Sequence, residues 1–139
     1  MIEAIITREH SYRMPYSVGV RVPSGHDLVF VAGLNALPLY HEHPHDLDAL
    51  EFPEDPAEQT DVVLEAMGEV LAGAGGTLAD VVRLDAFITN MAFQDAVARS
   101  LGGHFAGDRP PAMSLIAVRE LVVPGLLVEI NAIAAIKAA

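Results

Sequence analysis

Two helix-patterned stretches set among six short β-rich segments, in the order βββ-α-β-α-ββ, predict an α+β fold: a single mixed sheet of about six strands with both helices on one face. Length agrees, because 139 residues, 52% of them apolar, fill one core, so residues 1–139 read as one domain without an internal linker. The third observation concerns the last segment. Residues 126–136 place Val128, Ile130, Ala132 and Ala134 on one side and Leu127, Ile133 and Ala135 on the other. Two helices cover one face of a sheet, and a copy of the same sheet is the economical cover for the other, so symmetric oligomerisation is expected.

Residues 2–6 read as a short opening strand and 16–22 as a second, after the Met14-Pro15 break. The turn Pro23-Ser-Gly-His-Asp27 leads into 28–34, Leu-Val-Phe-Val-Ala-Gly-Leu, an apolar run of the kind found in strands buried on both faces. Residues 35–54, rich in Pro, His and Asp, read as a loop. Asp55 before Pro56 and Glu58 marks a helix start: a capping carboxylate, proline at the first position, and an acid near the positive end of the dipole. Val62, Val63, Ala66, Met67, Val70, Leu71 and Ala74 recur on one helical face until Gly73-Ala-Gly-Gly76 ends it. Those glycines follow a helix instead of opening one, so they are not a phosphate loop. Residues 80–90 alternate, with Val82, Leu84, Ala86 and Ile88 on one face and Arg83, Asp85 and Thr89 on the other; Phe87 is the apolar exception on the polar face. A second helix over 92–106 aligns Phe93, Val97 and Leu101, and Gly102-Gly103 weakens its final turn. Segments 112–118 and 126–136 close the chain as a hairpin-like pair.

Charge and composition remove several classes of function. Eight Lys and Arg against 19 Asp and Glu give a formal charge of −11, and the cations are scattered, so neither nucleic acid nor an anionic membrane surface is an expected partner. Without cysteine there is no disulfide framework, thiolate nucleophile or Cys-ligated zinc. The chain shows no signal-peptide pattern and no apolar run long enough to span a membrane, so a soluble cytoplasmic protein is expected. Gly-x-Ser-x-Gly, a Walker loop and His-Glu-x-x-His are all missing, leaving serine-hydrolase, nucleotide and zincin readings without a motif.

Glu129 stands out as a lone carboxylate inside an apolar strand, where an unpaired charge is costly. It is the strongest candidate for chemistry. The alternative role is structural, accepting backbone N–H groups across a subunit interface. Its surroundings, Pro111-Ala-Met-Ser114 followed by an apolar run, a turn and Val128-Glu-Ile-Asn-Ala-Ile-Ala134, resemble the closing signature of the Rid (YjgF-like) family. Met14-Pro15-Tyr16-Ser17 is similar to that family's Gly-Pro-Tyr-Ser motif, and Val31-Ala32-Gly33, the Gln59-containing helix and Phe87-Ile-Thr-Asn90 extend the resemblance over nearly the whole chain. The resemblance implies a homotrimer with three small-molecule clefts at its subunit interfaces, no cofactor, and hydrolysis of reactive enamines and imines. It also implies that Glu129 orients the attacking water and that Tyr16, Gly33, Phe87 and Ser114 contribute to the substrate cleft.

Four positions depart from the family's pattern. Met113 stands where its deaminases carry a carboxylate-gripping arginine, Ala32 where a serine often precedes the glycine, Leu115 where a cysteine sometimes sits, and Met14 where glycine begins the motif. Together they make the pocket apolar, and a flexible thioether cannot replace a bidentate guanidinium fork. Two readings follow. The cleft accepts a more hydrophobic imine, enamine or related conjugated intermediate for hydrolysis or tautomerisation, or it is a non-catalytic trimeric binding or scavenging site. Arg13, Arg109 and Arg119 are the nearest cations in sequence that could substitute.

The run His41-Glu-His-Pro-His-Asp46 offers three imidazoles at alternate positions beside two carboxylates. No supporting shell is visible in the sequence and the resembled family needs no metal, so the expectation is a solvated loop and no metal site. His104, at the end of the second helix, is expected to be a packed helix-end residue.

Overall fold

The computed structural model describes residues 1–10, 12–105 and 107–139. The strands are β1 (Glu3–Ala4), β2 (Val20–Arg21), β3 (His26–Leu34), β4 (Val81–Ile88), β5 (Ala112–Ala117) and β6 (Val128–Lys137), and the helices are α1 (Pro56–Gly73) and α2 (Gln94–His104). Element order and α+β class are those expected. The six strands divide into a four-stranded sheet, β3-β6-β4-β5, and a two-stranded ribbon, β1-β2. A parallel bridge between Ser17 and Ala112 ties the segment before β2 to β5.

Helix α1 starts where its local signals place it, the Asp55 carboxylate accepting from the N–H groups of Ala57 and Glu58 at 2.9 and 3.0 Å. It ends at the glycine cluster, where Gly75 adopts φ 79°. Its most deeply buried face is shifted from the expected one, to Gln59, Thr60, Val63, Leu64, Met67 and Leu71. Val62 and Ala66 turn instead toward the loop that follows β3. Gln59 is buried because it is fully used: its amide nitrogen donates to the carbonyls of Pro53 and Gly125 at 2.7 and 2.9 Å, and its oxygen accepts from Leu127 N–H at 2.8 Å. One polar side chain thereby fixes the start of β6. Before α2, Asn90 caps a single 3₁₀ turn, Met91–Phe93, so Phe93 lies outside the α-helix; Ala106, the last residue of the expected helix, is outside the described residues.

The expected hairpin between the last two strands does not form. β6 lies between β3 and β4, antiparallel to both, while β5 runs parallel to β4 at the sheet edge. The physical reason is twofold. Helix α2 supplies the crossover that a parallel β4–β5 pair needs, and the strand most apolar on both faces takes a central position, where two neighbours satisfy its backbone. The opening strands are also shorter than expected, limited to a two-residue ladder extended by Ile5 N–H donating to the Gly19 carbonyl at 2.9 Å.

Both helices pack on one face, enclosing Leu64, Met67, Leu71, Leu84, Ile88, Val97, Val128 and Ile130. The other face is uncovered. Leu28 and Phe30 of β3, expected in a doubly buried strand, are 52% and 73% exposed, and Ile116 of β5 is 46% exposed. Among the described residues no helix is long and apolar enough to cross a membrane.

Candidate functional site

Strand alternation and register put Glu129 on the uncovered face, opposite Phe87 of β4. It is half-buried there. On its other side lies Gly33, where an added Cβ would come within 2.8 Å of Glu129 Oε2. The glycine is therefore a space requirement: its missing side chain is what leaves room for the carboxylate. Asn35 holds the other oxygen, its Nδ2 donating to Glu129 Oε1 at 3.3 Å while its own Oδ1 accepts from Leu37 N–H at 3.0 Å. The second bond fixes which end of the amide faces the carboxylate. Asn35 was not singled out by the sequence; the usable signal was an Asx-turn former two residues beyond a strand glycine.

Ser114 and Phe87 share this open face, opposite Asp85 and Glu129 respectively. Ser114 Oγ accepts from Arg83, which also pairs with Asp85 at 2.6 Å, so the cation nearest these residues on the sheet is Arg83 and not one of the three arginines suggested by sequence proximity. Arg109 donates to the carbonyls of Ala79 and Val81, Arg119 is exposed, and Arg13 lines a cleft elsewhere. Ala32 is exposed beside Gly33.

The remaining candidates lie on the opposite side of the sheet edge. Ser17 donates from N–H to Pro111 O at 3.1 Å and from Oγ to Pro110 O at 2.5 Å, which brings Tyr16 alongside β5. Met113 and Leu115, pointing toward α2, join Tyr16, Val97 and Leu101 around a cavity of about 150 Å³. Met14 and Tyr16 border an adjoining open cleft of about 650 Å³ with Ile5, Arg13 and Phe105. Neither cavity includes Glu129. Within one chain the candidates thus form two separate groups.

Two further groups contain histidine. His104 Nε2 and Ser100 Oγ both bond Asp61 Oδ1, at 3.1 and 2.5 Å, joining α2 to α1, so His104 packs at its helix end as expected. The Ser100 hydroxyl is the main reason the Asp61 carboxyl sits below its ordinary value; partial burial opposes the shift and His104 adds to it. In the loop, the ring centroids of His41, His43 and His45 lie 4.5–5.0 Å apart. His45 is held below the ordinary imidazole value, first by desolvation and then by His43 and His41.

The endoribonuclease L-PSP family model matches residues 8–136. A solved protein of unknown function from Yersinia pestis, described as a member of the conserved Rid family, is 33% identical, with 97% of this chain and 98% of that chain covered at a TM-score of 0.80. A YjgF/YER057c/UK114-family protein from Mycobacterium tuberculosis is also 33% identical over 88% of each chain, at a TM-score of 0.65. RidA from an Antarctic Psychrobacter, 24% identical over 91% of this chain and 92% of that chain, shares the fold at a TM-score of 0.66. A match over almost the full length, with relatives at this identity, gives the conclusion that the chain belongs to the endoribonuclease L-PSP family, that of the Rid and YjgF proteins.

Proposed function

We propose that this chain is a homotrimeric Rid-like enzyme of the cytoplasm, hydrolysing or tautomerising an imine, enamine or related conjugated small molecule in a cleft between subunits, without a cofactor. The observation that carries the reading is the Glu129 carboxylate on an uncovered sheet face, given space by Gly33 and aimed by Asn35. The separation of the candidates supports the subunit cleft. Tyr16, Met14, Met113 and Leu115 from one chain and Glu129, Gly33, Ala32, Phe87 and Ser114 from the next supply an apolar wall and a carboxylate that one chain does not bring together. Family membership supports the reaction class by analogy.

In this mechanism Asn35 holds Oε1 and Oε2 accepts a hydrogen bond from a water. The water oxygen adds to the imine carbon as its proton passes to the carboxylate. Glu129 gives that proton to the imine nitrogen, leaving a carbinolamine; it then takes the hydroxyl proton and passes it to the amino nitrogen as the C=O bond forms and the C–N bond breaks, so that a carbonyl compound and ammonia leave. With Met113 in place of a guanidinium, the ligand that fits has an apolar body. Ammonia release from 2-aminoacrylate-type imines is expected to be about a hundredfold slower than with an arginine-bearing relative, the scale of one lost bidentate charged contact. Comparable turnover would refute this. Cleavage of RNA, the activity in the family's description, is disfavoured by the −11 charge.

A second reading is a non-catalytic trimeric binding or scavenging protein. Met113 in place of the family's arginine favours it, since the cleft then keeps its walls without the cation that grips a substrate carboxylate. Glu129→Gln separates the two. The enzyme reading expects an unchanged assembly and melting temperature with activity abolished, whereas the binding reading expects no turnover in the parent chain and an altered ligand affinity in the variant; loss of several degrees of melting temperature with function unchanged per folded trimer would make the glutamate structural and count against both.

A further inference from the structure

We propose that His41, His43 and His45 form a binding site for a divalent transition-metal ion of the zinc class, in the loop between β3 and α1. One ligating nitrogen from each imidazole lies within 4.8 Å of the others, and His41 Nε2 and His45 Nε2 are 3.1 Å apart. A tetrahedral zinc at 2.0–2.1 Å from each nitrogen places its ligands about 3.4 Å from one another, so closure needs at most about 1.4 Å of movement.

The first ligand is already oriented. His41 Nδ1 lies 2.7 Å from the Pro38 carbonyl, which can only accept, so the proton is on Nδ1 and the Nε2 lone pair points toward the other two rings. A carbonyl behind a ligating histidine is the supporting contact such sites use. Its apparent absence was the ground for expecting no metal here, because Pro38 sits outside the histidine run and its role depends on the backbone path. With the His41 proton on Nδ1, the 3.1 Å contact has His45 Nε2–H donating to His41 Nε2. Moving that proton to His45 Nδ1 frees the second ligand without a net change of charge.

His43 is exposed and His41 and His45 are half-buried, so the site opens to solvent and leaves a fourth position for water. Asp46 is occupied as the cap of the 3₁₀ turn Leu47–Ala49, its carboxylate accepting from Asp48 N–H at 3.1 Å. Imidazole donors without thiolates suit zinc, nickel and copper(II), with copper the tightest.

The test is calorimetric titration of zinc chloride into the full chain after stripping with chelator. The expected result is one saturable zinc per chain, a rise in melting temperature with zinc concentration, and copper(II) binding more tightly than zinc. His43→Asn, at an exposed position, should weaken zinc binding at least about tenfold, and the double variant His41→Asn/His45→Asn should abolish it. His10→Ala and His104→Ala should keep full stoichiometry. Melting of each metal-free variant checks that it folds. Lack of saturable binding by about 100 μM zinc, or an unchanged affinity in His43→Asn, would overturn the proposal.

Discussion

The two faces of the four-stranded sheet both carry large apolar side chains and meet different fates. Toward α1 and α2, Val128, Ile130, Ala132 and Ala134 are buried within a closed core. On the reverse, Leu28, Phe30 and Ile116 stand open beside Glu129, Arg83 and Asp85. The difference separates stability from function. The helix side is complete in one chain, and its residues serve packing. The open side is not closed by the described residues of one chain, and it is where charged groups and a glycine-made gap lie. Phe30 and Leu64 are both large apolar residues, yet only Leu64 should matter to the fold of a single chain.

That contrast gives the largest expected effect. Leu64→Ala should destabilise by about 2–5 kcal/mol, read as a lowered denaturant midpoint, since a fully buried side chain leaves a cavity. Phe30→Asp should leave a folded, cooperatively melting chain whose light-scattering mass falls from that of the proposed trimer to one subunit. A variant that remained fully assembled would show that the open face is not the interface.

Gly33→Ala sharpens the comparison within the open face. Its backbone has no positive φ and the displaced atom is the free end of a flexible side chain, so stability should change by less than about 0.5 kcal/mol. The carboxylate would swing from its place, and turnover should fall by about tenfold or more. Unchanged turnover would mean that the position of Glu129 is not what the reaction needs.

The smallest effect is acidic. The Asp61 carboxyl is depressed below its ordinary value of 3.8 in the folded state, so its contribution is present above that value and is lost as pH falls through the lower, folded one. Its side chain is 50% exposed, which keeps the contribution under about 1 kcal/mol after solvent screening. Ser100→Ala should melt slightly lower than the parent at pH 6, and the difference should shrink below the ordinary value and vanish once pH has fallen through the lower, folded one. A gap that widened in acid would contradict the assignment.

What the sequence made legible was local. Asp55-Pro56 and the glycines after residue 72 bound α1 because caps and left-handed turns act over three or four residues. Glu129 was visible as a contradiction inside its own strand. The hairpin expectation failed because neighbours in sequence need not pair, and the crossover through α2 decides that β5 lies along β4. Asn35 was hidden because its partner is 94 residues away, and the division of the candidates into two groups was hidden because one edge strand sends Met113 and Ser114 to opposite faces. In the histidine run the composition was plain, but the convergence of three rings required the loop's path.

The central place of β6 bears on how the chain acquires its shape. Strands β3 and β4 are synthesised before it, yet in the finished sheet they are separated by the width it occupies, about 10 Å. Until β6 emerges, each presents an unsatisfied edge, and joining them directly would close the slot that β6 must fill. Because β6 is the ladder partner of both β3 and β4, the sheet in this order closes only once the last strand is available to it.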